Sequence, residues 1–293
     1  MNTLTRLLSV CAVSAVLFSG CDTKALDWSI VTECEIPIGD RSHVAGFLNE
    51  SYCVSVGYGG VIRISEDAGK TWTKAQNQSL CRFCLDIIDA NLSWSGGNGS
   101  NVRVTKDGGK TWQAVTDCRL GSTHMSIDFL DDKTGRLASK NRIAMTEDGG
   151  ATWKELSLPE GITEIATLAI RSANEGYVLT KAGILYSTTD CGANWGSASI
   201  NLAKYKIAGD KLMAADMNFY GESKAEIVFS GNKKNGANVW ILSTEDGGKT
   251  WNPRLLPYPV NSTATEIYFT SSGEYITVTS MNKQVKVFKK VSR

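Results

Sequence analysis

The sequence has almost no net charge. Its 31 Lys and Arg face 30 Asp and Glu, leaving +1 at neutral pH, and the basic residues are scattered. The long-range field that holds nucleic acid or an anionic membrane surface is therefore missing. Past the first stretch, no apolar run approaches the roughly 20 residues of a spanning helix. Histidine is scarce, with 2 in 293 residues, and no H-x-x-H spacing occurs. What remains is 42% hydrophobic and 21% charged, the make-up of an ordinary globular protein able to bury a core.

The first stretch is "MNTLTRLLSVCAVSAVLFSGC". Arg6 supplies a positive start, and residues 7–18 form an apolar segment of signal-peptide length, too short to span comfortably. It ends in Leu17-Phe18-Ser19-Gly20-Cys21, which resembles a bacterial lipobox, with Phe18 where Leu is commoner. An ordinary secretory signal that happens to contain Cys21 is the weaker alternative. The expectation is removal of residues 1–20, acylation of Cys21, a tether over 21–27 and one folded domain over 28–293. The protein is then a lipid-anchored lipoprotein of the cell envelope, with the choice of inner or outer membrane left open.

One short string recurs through the rest of the chain. "SEDAGKTW" (Ser65–Trp72), "TKDGGKTW" (Thr105–Trp112), "TEDGGATW" (Thr146–Trp153) and "STEDGGKTW" (Ser243–Trp251) are near copies, and "STTDCGANW" (Ser187–Trp195) is a degenerate one. Their aspartates, Asp67, Asp107, Asp148, Asp190 and Asp246, are 40, 41, 42 and 56 residues apart. A period near 40 built from short β-like runs reads as propeller blades. Each box follows a run such as "VIRIS" or "RIAMT". Before that come a second run such as "SYCVSVGYG" and an innermost one such as "LDIID" or "MSIDF". A short segment follows each Trp, giving four strands per unit. The tail adds "TEIYF", "EYITV" and "QVKVFKK" without a box, and "LDWSIVTE" at the front looks like a segment after a box. The N-terminal strand would complete the last blade and close a six-bladed ring, hiding its edges. The long interval reads as a loop within Asn201–Lys234; a seventh blade there is the competing count.

The repeated string resembles the Asp-box, or BNR, hairpin of sialidase-like and related propellers. Its structural set here is Ser65, Asp67, Gly69 and Trp72; Thr105, Asp107, Gly109 and Trp112; Thr146, Asp148, Gly150 and Trp153; Ser187, Asp190 and Trp195; and Thr244, Asp246, Gly248 and Trp251. Asp bonds the turn's own amides, Gly takes the positive φ, and Trp packs between sheets. Such a box specifies a fold rather than an activity. A sialidase resemblance would imply three Arg clamping a carboxylate, a Tyr nucleophile activated by Glu, and an acidic Asp. The first Arg normally lies in Arg-Ile-Pro, and the nearest match is Glu35-Ile36-Pro37. Arg63, Arg103 and Arg142 fall on third strands, away from the channel. The wording "DGGKTW" is more similar to photosystem II stability/assembly factor-like propellers, which implies a non-catalytic assembly or scaffold role. Those relatives are typically seven-bladed and carry an Arg patch.

Propeller ligands usually meet the loops that lead into the innermost strands. Arg41, Arg82 and Arg119 recur in the first three such loops, and His43, Cys84 and His124 recur at intervals of 41 and 40. These six residues are the candidate binding face. The His–Cys set offers soft metal ligands, but ordinary loop residues are the better reading because adjacent blades splay apart. No metal, cofactor or catalytic residue is assigned. Beyond Cys21, Cys34, Cys53, Cys81, Cys84, Cys118 and Cys191 allow fifteen pairings. The blades bring Cys34 near Cys53, and Cys118 near Cys81 or Cys84. Tyr205, Phe219, Tyr220 and Tyr258 are placed in long loops, where flat rings could meet a sugar. The expectation is a monomeric binding or assembly factor whose partner is an envelope protein or a glycan. Membrane contact runs through the lipid alone. A sialidase-like glycan-active or glycan-binding protein is the alternative.

Overall fold

The computed structural model describes residues 28–37, 42–77, 81–98, 102–115, 118, 120–121, 124–200, 212–220, 222–231, 239–256, 264–270, 272–280 and 283–291. They form six four-stranded antiparallel sheets. The strand β1 (Trp28–Glu35) belongs to the last sheet. Blade one is β2 (Ser42–Phe47), β3 (Cys53–Gly57), β4 (Val61–Ser65) and β5 (Thr73–Asn77). Blade two is β6 (Arg82–Ile87), β7 (Ser93–Gly97), β8 (Arg103–Thr105) and β9 (Gln113–Ala114). Blade three is β10 (His124–Phe129), β11 (Gly135–Ser139), β12 (Arg142–Thr146) and β13 (Lys154–Leu156). Blade four is β14 (Ile165–Ile170), β15 (Gly176–Thr180), β16 (Ile184–Thr188) and β17 (Gly196–Ser199). Blade five is β18 (Leu212–Tyr220), β19 (Lys224–Gly231), β20 (Val239–Thr244) and β21 (Asn252–Leu255). Blade six is β22 (Ala264–Phe269), β23 (Tyr275–Ser280), β24 (Gln284–Lys290) and, from the front of the chain, β1. Pairs from Trp28–Lys290 to Glu35–Gln284 close the ring, as the sequence predicts.

Part of the long interval before the last box, residues 201–211 and 232–238, lies outside the described residues. β18 and β19 are nine and eight residues long, longer than the matching strands of the other blades. Phe219 and Tyr220 therefore lie on β18 and not in a loop. Tyr205 and Tyr258 lie outside the described residues.

Burial follows from stacking. Second strands β3, β7, β11 and β23 are buried at every position because a blade covers each face. Outer strand β1 alternates between covered and open residues. An apolar cluster fills each of the six seams between neighbouring blades. Trp94 lies flat on Phe129 between blades two and three at 3.8 Å, and Tyr177 on Phe219 between blades four and five at 3.6 Å. Each stack adds about 0.5–1.5 kcal/mol beyond its burial.

The boxes are closed by hydrogen bonds. In the first, Asp67 Oδ1 accepts the Thr71 amide at 2.8 Å, and Oδ2 accepts the Thr71 hydroxyl at 2.6 Å. Ser65 Oγ accepts the Gly69 amide at 2.7 Å and donates to Asp67. The same pattern returns around Thr105, Thr146 and Thr244. In the fourth box the hydroxyl belongs to Thr188, which accepts from Gly192 and donates to Asp190; Ser187 sits one residue too early, paired to Gly196. The box glycines have φ between 78° and 86°, which an L side chain rarely adopts. Cys191 holds the preceding turn position at φ 56°.

Each innermost strand carries a bulge near its start. The register shifts between Ser42 and Val44, Arg82 and Cys84, His124 and Ser126, Ile165 and Thr167, Leu212 and Ala214, and Ala264 and Glu266. The extra residue sharpens the local twist.

Candidate functional site

The innermost strands leave backbone amides facing the axis, where no further strand can pair with them. Buried amides need acceptors, and side chains of the preceding blade supply them. Asp86 Oδ2 accepts the Phe129 amide at 2.7 Å, Asp128 Oδ2 that of Ile170 at 2.6 Å, and Asp216 Oδ2 that of Phe269 at 2.7 Å. Ser126 Oγ accepts from Leu168 at 3.1 Å, and the Thr167 hydroxyl donates to Asp216 Oδ1 at 3.2 Å. Blade one has Gly46 at the level of these aspartates. Tyr268 of blade six fills the space, and its hydroxyl oxygen accepts the Ile87 amide at 2.8 Å. A Cβ on Gly46 would lie 2.8 Å from the Tyr268 ring.

A cavity of about 590 Å³ runs along this axis. On the upper face, where the innermost strands begin, it reaches Phe83, Lys140, Glu164, Lys181 and Glu266. Lys181 pairs with Glu164 at 2.6 Å, and Tyr58 meets Phe83 edge-to-face at 5.3 Å. Tyr58 is 44% exposed, which makes this pair an aromatic step on the rim. On the lower face the cavity reaches Leu130, Arg171, Asn218 and Phe219.

Burial first, and neighbouring carboxylates second, push the Asp86 carboxyl well above its usual range. Burial likewise raises Asp128 and Asp216 to about 7, against the amides they accept. These groups are structural acceptors that hold a proton to higher pH than a free carboxylate does. At the lower mouth, Arg171 grips Glu175 through two contacts at 2.6 and 2.5 Å, and the Tyr177 hydroxyl donates to Glu175 at 2.5 Å. Burial and Glu175 raise the Tyr177 hydroxyl further above its ordinary value, the reverse of what a nucleophile needs. Two of the third-strand arginines serve their own blades. Arg103 donates to the Trp112 carbonyl, and Arg142 grips Glu155 at 2.6 Å. Among the described residues, no three His, Cys, Asp or Glu come together as a metal would require.

Strand pairing fixes the register of part of the candidate face. Ser42, Arg82 and His124 are equivalent in register, as are Val44, Cys84 and Ser126, and His43 is the bulged residue of β2. His43, Cys84 and His124 thus occupy three successive levels and do not form one ring. Equal spacing misleads because blades one and two start 40 residues apart and blades two and three 42. Arg82 opens β6, whereas Arg41 and Arg119 precede their strands by one and five residues. Arg41, Arg119 and the side chains of His43, Arg82 and His124 lie outside the described residues. Cys84 is buried and packs in the seam between blades two and three with Cys118. The channel aspartates went unnoticed in the sequence. Their signal was an Asp in "LDIID", "MSIDF" and "LMAADMNF", each in an innermost run.

Residues 114–291 match the family described as Photosynthesis system II assembly factor YCF48. No curated protein matches the chain. Among solved structures, one of YCF48 bound to D1 peptide is 16% identical, with a TM-score of 0.57 over 93% of this chain and 99% of that one. YCF48 from Cyanidioschyzon merolae is 15% identical, with a TM-score of 0.56 over 88% and 99%. A streptogramin B lyase is 14% identical, with a TM-score of 0.59 over 89% and 97%. At these identities the three structures speak for the fold alone.

Proposed function

The chain belongs to the Photosynthesis system II assembly factor YCF48 family, and from that premise we propose a non-catalytic protein-binding factor, lipid-anchored at the cell envelope through Cys21, that receives its partner on the upper face. One observation carries the non-catalytic reading. Every channel aspartate spends an oxygen on a backbone amide of another blade. None of the three is left with both oxygens free beside an open position. The YCF48 structure with D1 peptide supports a protein partner. The exposed Tyr58 beside Phe83 supports the upper face, since aromatic steps anchor partners.

A glycan reading draws on one grouping, Arg171, Glu175 and Tyr177 at the lower mouth. It has one Arg where a carboxylate clamp has three, and its Glu is already gripped.

The test is affinity capture of the mature, tagged chain from its own membrane fraction. A stoichiometric envelope protein is expected, lost when Arg41, Arg82 and Arg119 are changed together to Glu. Absence of any protein partner, together with sugar release from an envelope glycan, would move the glycan reading to first place.

A further inference from the structure

The seam between blades six and one differs from the others, because β1 joins its sheet from the opposite end of the chain. Two cysteines meet there. Cys34 lies on β1 opposite Val285, and Cys53 opens β3 between Phe47 and Ser65. Both enter one apolar cluster with Tyr275, Val285 and Val287. Both are free thiols in this structure.

The repeats show what each position requires. Three box glycines are covered by a side chain from the preceding blade: Ile64 over Gly109, Val115 over Gly150 and Leu156 over Gly192. Cys34 does this for Gly69, whose hydrogen leaves room that a Cβ would take from the sulfur. At the level of Cys53, blades two to five carry Ser93, Gly135, Gly176 and Ala225, and blade six carries Ile276. Aliphatic cover and a small residue are therefore enough for packing. Among the described residues, sulfur appears at both positions only at this seam. The two groups are also within electrostatic reach, because a charge on Cys34 raises Cys53.

We propose that Cys34 and Cys53 form a disulfide that ties the ring-closing strand to blade one. The oxidant is an external disulfide, of a small thiol or of a dithiol oxidoreductase. The Cys34 thiolate attacks one of its sulfurs, forming a mixed disulfide and releasing one thiolate. Cys53, as thiolate, then attacks Cys34 Sγ and releases the second. Two protein thiols are oxidised, one external disulfide is reduced to two thiols, and the two protons pass to the leaving groups. Burial pushes Cys34 up to about 11 and Cys53 well above its usual value, so exchange in the finished ring is slow. The bond forms as the chain folds and then resists reduction.

The experiment refolds the whole chain in a glutathione redox buffer, blocks remaining thiols and digests with trypsin, which separates the two cysteines at Arg41. Mass spectrometry without reductant should find the Cys34 and Cys53 peptides joined. Oxidation should raise the thermal midpoint by several degrees. That rise should vanish in Cys34→Val and in Cys53→Ala, which place the residues other blades use and should still fold. A second sample, folded first and held with oxidised glutathione at pH 9, should yield the same link more slowly. Cys34 and Cys53 found blocked in both samples, or either one joined elsewhere, overturns the proposal.

Discussion

Replacing Asp128 by Asn asks whether the channel carboxyls are neutral at working pH. The Asn oxygen can still accept the Ile170 amide that Asp128 accepts at 2.6 Å, so the change removes a titration and little else. In the unfolded chain this carboxyl loses its proton near 3.8; in the ring it keeps it to about 7. Between those values the unfolded state binds fewer protons, so stability falls as pH rises and then levels off. Roughly three units at 1.36 kcal/mol each set a ceiling of about 4 kcal/mol. Part of Asp128 faces the channel, where solvent screens the charge, so about 1–3 kcal/mol is the working figure. Urea unfolding at pH 4 to 9 measures it. The variant should match or trail the parent at pH 4 and exceed it at pH 8, with the gap opening between. Asp86 should then titrate lower, because the Asp128 charge is one cause of its rise. A stability difference that stays constant from pH 4 to 8 would mean Asp128 is ionised in the folded ring, and would refute the reasoning.

Gly46→Ala should cost about 1–3 kcal/mol by pressing on the Tyr268 ring. Adding Tyr268→Ala should relieve part of that, so the double variant loses less than the sum in a denaturant cycle. Trp94→Ala removes the fully buried partner of Phe129 and should cost about 3–5 kcal/mol, read by the same unfolding curves. Asp246→Asn should lower the thermal midpoint at pH 7. Bonds from Thr250 hold that carboxyl down near 2, so its contribution is present above 3.8 and is lost as pH falls through about 2; melts at pH 2 should converge with the parent.

Turn chemistry made the fold readable. The Asp, Gly and Trp of each box are local requirements, and their spacing counts the blades. The match between "DWSIV" and the segments after each Trp revealed which strand closes the ring. The Ser/Thr hydroxyl that accepts the box glycine's amide was less plain, which is why Ser187 stood in for Thr188. The channel was largely illegible. Asp86 and Asp128 look like solvent-facing positions of alternating strands, and their burial appears only when another blade arrives. Rim residues were misaligned for another reason. Blades one, two and three start 40 and 42 residues apart, so residues at a near-constant interval drift off register from one blade to the next.

The pairing of β1 with β24 also sets an order of events. The other five blades are complete within short stretches of sequence, so each is available to fold soon after it leaves the ribosome. β1 emerges before all of them, yet its partner emerges after all of them; Lys286 meets Glu33 across 253 residues. For the whole of synthesis the first strand is an unpaired edge in search of a neighbour that does not yet exist. Contacts this distant in sequence form slowly. The last step in making this protein is therefore the joining of its oldest strand to its youngest, and any factor that guards the newborn chain must hold β1 until then.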